Sequence, residues 1–344
     1  MLSDADRKLS KVIFELIKGA TSQLTVKDFL KSKGVPVSAA NWDELYEKRV
    51  LPALEHAKFS VIDLRGLLQS VEEFGRQHTF LFRCTPERAQ GLINPKRVTQ
   101  IANEEGLAAL LTTPLDLDLP DNATIVDVRL YQPDPNKMPV SLTIKVVEKR
   151  MIKTFHSEVI DRQAGTITKN YSFKEKRAVN IATLDHEGWL ELRIASQDTQ
   201  TNYTQLVREM LVKVRKLLPH DGFNIVSLND AKTKILTDRV ALADQIRYSH
   251  STAKNALGAV MQLSSSSQED NLSSDDGSMA AIDSFLAGDG RVTGTNVYVK
   301  IPDSEPAREV HLLISGDVNE FAVPVACSAG EYSYVRGKVI ALNS

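Results

Sequence analysis

Cysteine is scarce in this chain: Cys84 and Cys327 are the only two in 344 residues. Two thiols cannot build a disulfide framework, and these two lack the close paired spacing of a zinc site. Both fall on or beside apolar strand patterns, which reads as buried and inert. Long apolar runs are also missing, with none near the roughly 18 residues that cross a bilayer. The opening stretch, MLSDADRKLSKVIFELIKGA, carries charge every few positions and holds no uninterrupted apolar segment of the secretory kind. Together these absences predict a soluble protein of a reducing, cytoplasmic setting. Aromatic residues make up only 6% of the chain, but 42% hydrophobic and 25% charged residues are ordinary for globular folding. That length and composition suffice for two or three domains with normal cores.

Motifs that carry chemistry are equally sparse. His220 and Asp221 sit in LPHDGF, a Pro/Gly turn without further metal ligands nearby. Asp185, His186 and Glu187 are consecutive in LDHEGW, and three consecutive side chains cannot converge on one ion. Ser251 to Lys254 read STAK, but no K-T-G follows, as a serine acyl-enzyme of that type would need. GDGRVTG, from Gly288, leads into a strand, whereas a phosphate cradle opens onto a helix. Asp127 and the Glu148–Lys149 pair approach a nuclease carboxylate pattern, yet adjacent strand residues point to opposite faces. No catalytic residue, metal or cofactor is assigned.

What is present is organisation. Residues 1–76 read as helical. Leu9, Val12, Ile13, Leu16 and Ile17 keep helical spacing, Thr25 and Asn41 are candidate caps, and Pro52 should bend or interrupt its helix. This is the outline of a bundle or a winged-helix module. Residues 77–250 read as an α+β domain. HTFLFRC is a strand buried on both faces, and a Pro- and Asp-rich connection, TTPLDLDLPDNA, leads into four strands of an antiparallel meander. Residues 251–344 read as an acidic α/β domain with a long, mobile Ser/Asp-rich loop at 264–278. The expected fold class is therefore α+β: a helical N-terminal region, a central antiparallel sheet with packing helices, and a C-terminal α/β domain.

Charge is distributed unevenly. Residues 1–75 balance, residues 76–254 carry 26 basic against 21 acidic groups, and residues 255–344 carry 5 against 12. The basic excess concentrates between Lys145 and Arg177, with nine basic and four acidic groups. On a strand, Lys145, Lys149 and Lys153 share one face, and the following strand adds Lys169, Lys174, Lys176 and Arg177 with Tyr171 and Phe173 interleaved. Such a face suits a phosphate backbone with occasional base stacking, or an acidic protein surface, in this protein or in another. It also suits a solvated face whose lysines guard a strand edge. The expected function is a non-enzymatic binding or assembly component contacting nucleic acid or an acidic protein through these nine residues, with no membrane partner. The competing expectation is an enzyme, a metal-dependent nuclease or another hydrolase, whose site is assembled from residues distant in sequence. Partner identity and oligomeric state stay open.

Overall fold

The computed structural model describes residues 2–197, 202–267, 269–302, 304 and 307–344. It is an α+β fold whose strands pair antiparallel wherever their register is defined. Eleven helices and eleven strands are described, besides single turns of π- and 3-10 helix. Among the described residues, no helix is long and apolar enough to cross a membrane.

The chain divides into two compact units, each gathered from three separated segments. The first takes residues 1–68, 92–182 and 197–219, and the second takes 69–91, 183–196 and 220–344. The divisions expected near 76 and 250 both fall inside the second unit.

The first unit begins with helices α1 (Asp4–Ala20), α2 (Gln23–Ser32), α3 (Trp42–Leu45) and α4 (Leu51–Glu55), and most of α5 (Val61–Glu73). Ser3 caps α1 through a bond from the Asp6 amide, and Ile13, Phe14 and Ile17 supply its buried face. The α2 cap position is Ser22 and not Thr25, because the helix starts one turn earlier than its apolar residues suggest. Asn41 does cap α3, accepting from the Glu44 amide. Pro52 does not stop the chain from coiling. A π-helical turn, Tyr46–Val50, precedes it and joins α3 to α4, which accommodates the missing amide and the ring.

Helix α7 (Pro95–Glu104) and helix α8 (Tyr203–Val214) also belong to this unit, with strands β2 (Thr124–Tyr131), β3 (Ser141–Asp161) and most of β4 (Thr166–Asp185). Helix α8 buries Val207, Met210 and Val214. Strands β2 and β3 pair from Tyr131 opposite Ser141 to Thr124 opposite Val147. Val126, Val147, Val179 and Ile181 form a packed cluster there, each burial contributing roughly 1.5–3 kcal/mol.

The second unit holds strands β1 (Gly75–Arg83), β5 (Trp189–Ala195), β6 (Asn224–Ile225), β7 (Ile246–Lys254), β8 (Val260–Ser264), β9 (Arg291–Ile301), β10 (Arg308–Ile314) and β11 (Glu320–Ala326). Their order is β5-β1-β11-β10-β9-β7-β8, with β6 also pairing β1. Helices α6 (Pro86–Leu92), α9 (Asn229–Thr237), α10 (Asp276–Ala287) and α11 (Ala329–Leu342) complete the elements. One large core gathers Leu81, Tyr248, Val297, Val310, Phe321 and Val335. Ser328 and Glu331 form a full capping box at the start of α11. This helix carries a polar contact into the interior. The Tyr332 hydroxyl lies 2.9 Å from both Thr79 Oγ1 and Glu191 Oε2, and Arg336 pairs with Glu191 and with Asp185. Burial and the neighbouring Glu191 carboxylate hold the Tyr332 hydroxyl well above its ordinary range.

Both cysteines are buried, and burial raises both thiols, Cys327 up to about 12. Part of the Ser/Asp-rich segment is anchored. Leu272 is buried, Asn271 accepts from the Tyr248 amide, and Arg247 donates to the Asp270 carbonyl. Gln268, inside that segment, lies outside the described residues.

Candidate docking arm

Strands β3 and β4 have 21 and 20 residues, against a usual strand length of about 5–6. The two strands neighbour each other, and β2 flanks β3 only from Ser141 to Val147. At the root, Leu142, Ile144, Val146, Val147, Ala178, Val179, Ile181 and Ala182 are buried. Beyond Arg150, burial stops. From Met151 to Asp161 and from Thr166 to Lys176, every residue is exposed except the partly buried Ile152. The outer half of the hairpin is therefore a two-stranded ribbon with both faces open, about 35 Å long at the usual rise per residue.

The outer edges of this ribbon have no neighbours among the described residues. Strand β2 ends its pairing with β3 at Val147, and the last bond to that edge is Lys149 N–H to the Pro120 carbonyl at 2.8 Å. Strand β5 leaves the turn at Asp185 and has seven residues, so it runs out before the arm begins.

The expected contact residues separate along this boundary. Lys145 is 1% exposed and lies directly opposite Asp127 in the β2–β3 register. It belongs to the interior and is withdrawn from the contact surface, because strand alternation gives its side of the sheet and not its burial. Asp127 is also bound by Arg129 at 2.6 Å, and Glu148 by Arg150. The carboxylates of the nuclease-like pattern are thus each engaged by a guanidinium. Among the described residues, no three His, Cys, Asp or Glu side chains group as a metal site.

Lys149 stands at the boundary. Its ammonium lies 2.8 Å from Asp121 and 3.4 Å from Glu175. The Asp121 hydrogen bond raises the lysine above its ordinary range and lowers Asp121 in turn. Arg177 reaches the carbonyls of Asp116 and Asp118. The Pro- and Asp-rich connection, which in sequence looked only like a linker, thus wraps the root of the hairpin and neutralises part of its charge. Within the first unit, the acidic connection 116–121 is thus docked on the basic root.

On the arm itself, Lys169 pairs with Glu158 at 3.2 Å. The Lys153 ammonium lies 3.7 Å from the centroid of the Tyr171 ring, and Phe155 meets that ring edge-on at 5.8 Å. Those contacts put Lys153, Phe155 and Tyr171 on one face. Alternation adds Met151, Phe173 and Glu175 to it, and sends Lys174 and Lys176 to the opposite face. The basic groups expected on a single platform are split between two sides of a ribbon. Between Met151 and Lys176 the charges number five basic and three acidic.

What the sequence reading passed over is the apolar content. Met151, Phe155, Val159, Ile160, Ile167, Tyr171 and Phe173 are all large, and all are between 38% and 62% exposed. Two signals for this were available. A 21-residue strand outruns any neighbour it could have, and its apolar residues occur at both odd and even positions.

Compared with known protein families and with curated proteins, the chain matches none.

Proposed function

We propose that this protein is a non-enzymatic binding or assembly component that makes its contact with another protein through the β3–β4 arm. The observation that carries this reading is the exposure of seven large apolar side chains on a ribbon open on both faces. An isolated two-stranded hairpin is at best marginally stable in water. Long edges with unpaired amides and carbonyls are also templates for association. Contiguous exposed apolar surface of this kind marks interaction sites.

Charge supports the nucleic-acid reading less well. Of the nine expected contact residues, Lys145 is buried, Lys149 and Lys169 are ion-paired, and Arg177 is held by backbone carbonyls. Lys153, Lys174 and Lys176 are left for phosphates, on opposite faces. Phosphate binding draws its affinity from such cations, and few remain.

The test places a photo-crosslinking phenylalanine analogue at position 155 or 173, and at Val240 as an exposed control, 86% accessible. A protein adduct from the arm positions alone is expected. Labelled DNA and RNA are titrated in parallel at several salt concentrations. Binding that weakens steeply with salt and is lost on Lys174→Glu with Lys176→Glu, without any protein adduct, overturns the proposal in favour of nucleic acid.

A further inference from the structure

Resting on the docking role of the arm, we infer that its partner is a second copy of this chain, joined edge to edge along β4. Two arms then form one four-stranded antiparallel ribbon.

The β4 edge is self-complementary. When a strand edge meets its own copy about a two-fold axis normal to the sheet, the strands run antiparallel and each face stays on its own side. Directly opposed residues must then have the same parity, so the centre of pairing falls on a residue. With the centre at Ser172, Lys169 faces Glu175 of the second copy, and Tyr171 faces its Phe173. Each of these pairs occurs twice by symmetry. Thr168 meets Lys176, Asn170 meets Lys174, and Ile167 meets Arg177, so no like charges are opposed. Opposite-charge and aromatic pairs are the favourable cross-strand combinations.

Neighbouring centres on β4 are worse. A centre at Tyr171 sets Lys169 against Phe173 and Ile167 against Glu175. A centre at Phe173 sets Lys169 against Arg177, and one at Lys174 opposes that lysine to itself. The β3 edge offers one competing centre, Ser157, which pairs Phe155 with Val159 and Lys153 with Asp161. There, however, the Asp161 carboxylate already accepts from the Gln163 and Ala164 amides in the hairpin turn. Lys153 is likewise placed on the Tyr171 ring. On β4, Lys169 is held within its protomer by Glu158 at 3.2 Å, and Glu175 by the more distant of the two carboxylate contacts of Lys149, at 3.4 Å. Exposed pairs of that kind are weak and readily shared. Strand addition at an open edge is an established mode of recognition. Here it also covers the aromatic pair.

The experiment is sedimentation velocity on the full chain over a wide concentration range, with variants that read the register. Wild type should associate reversibly to a dimer. Ser172→Cys should give a disulfide-linked dimer without reductant, because the two copies of position 172 face each other. The native thiols are both buried and do not compete. Val240→Cys, equally exposed to solvent, should not. Lys169→Glu and Glu175→Lys should each weaken the dimer about tenfold, since each converts two attractive pairs to repulsive ones. Combining the two substitutions should recover most of the loss. The cysteine variant is small and conservative, so its result stands even where a charge reversal unfolds the arm.

A monomer at every concentration overturns the inference, as does a disulfide that forms through Val240→Cys as readily as through Ser172→Cys. Crosslinking through Ser157→Cys but not Ser172→Cys overturns the β4 assignment. A monomeric wild type whose arm still photo-crosslinks a different protein sinks self-association and leaves the docking role standing. Absence of both the dimer and any protein adduct removes both.

Discussion

The same two strands behave as two different materials along their length. Near Ile144 and Ile181 the β3–β4 hairpin is buried, and β3 has β2 along its outer edge. Ten residues further on, around Phe155 and Phe173, both faces are open and both outer edges lack a partner among the described residues. Both halves are rich in β-formers, but the root of β4 reads RAVNIATL and the arm TITKNYSFKEK, so charge enters where burial ends. At the root a strand contributes to a core and an acidic loop compensates its cations. On the arm the apolar and basic groups are left to a partner.

That contrast can be broken most sharply at Lys145. Replacing it by glutamate puts a second buried carboxylate opposite Asp127, and uncompensated buried charge costs on the order of 3–5 kcal/mol. Denaturant unfolding should show this loss, whereas Lys174→Glu on the arm should leave the midpoint unmoved. Equal midpoints for the two variants would mean that the root is not the interior described here.

A close second is the apolar pair Ile144→Ala and Phe155→Ala. The first empties a fully buried site, at about 2–5 kcal/mol. The second removes an exposed ring and should stay within about 0.5 kcal/mol in the dissociated protein. The same denaturation series reads both.

Excising residues 151–176 and closing the hairpin with Asn-Gly should change the melting temperature of the protein little, while abolishing its concentration-dependent dimerisation in sedimentation velocity. A collapse in stability would show that the ribbon packs against its own chain.

The smallest effect concerns the thiols. Burial raises Cys327 from 9.0 to about 12. Its folded value lies above the unfolded one, so the associated stability is whole below about pH 9 and is lost as pH rises toward 12. At pH 8 an alkylating reagent should label neither cysteine in the native state and both in denaturant. Native labelling at either position would contradict its burial.

Much of the fold was legible in the sequence because it rests on local chemistry. The Asn41 cap, the burial of Ile13 and Ile17 on α1 and the antiparallel run β2–β3–β4 are set by residues within a few positions of one another, although Val12 of the expected α1 stripe is exposed and Phe14 is buried instead. The inert character of Cys84 and Cys327 followed from their apolar flanks. Pro52 was read as an interruption because the proline rule is local too, whereas the helix escapes it through a π turn.

The candidate site was half legible. Alternation placed Lys149 and Lys153 on one side of β3, where Lys149 meets Asp121 and Glu175 and Lys153 lies over the Tyr171 ring. It also sends Lys174 and Lys176 to the face away from Tyr171, but it could not say that Lys145 on the same side as Lys149 is buried. That burial depends on what lies beside β3 at its root, which is not encoded near Lys145.

By itself, then, the sequence determined which segments coil, which extend, where they turn, and that an unusual basic stretch lies on a strand. The tertiary structure alone decided which of those cations meets solvent. A side chain's periodicity is a property of its own strand, but its burial is a property of whatever lies beside that strand. Here the Asp116–Asp121 connection covers the root, and nothing described covers the arm.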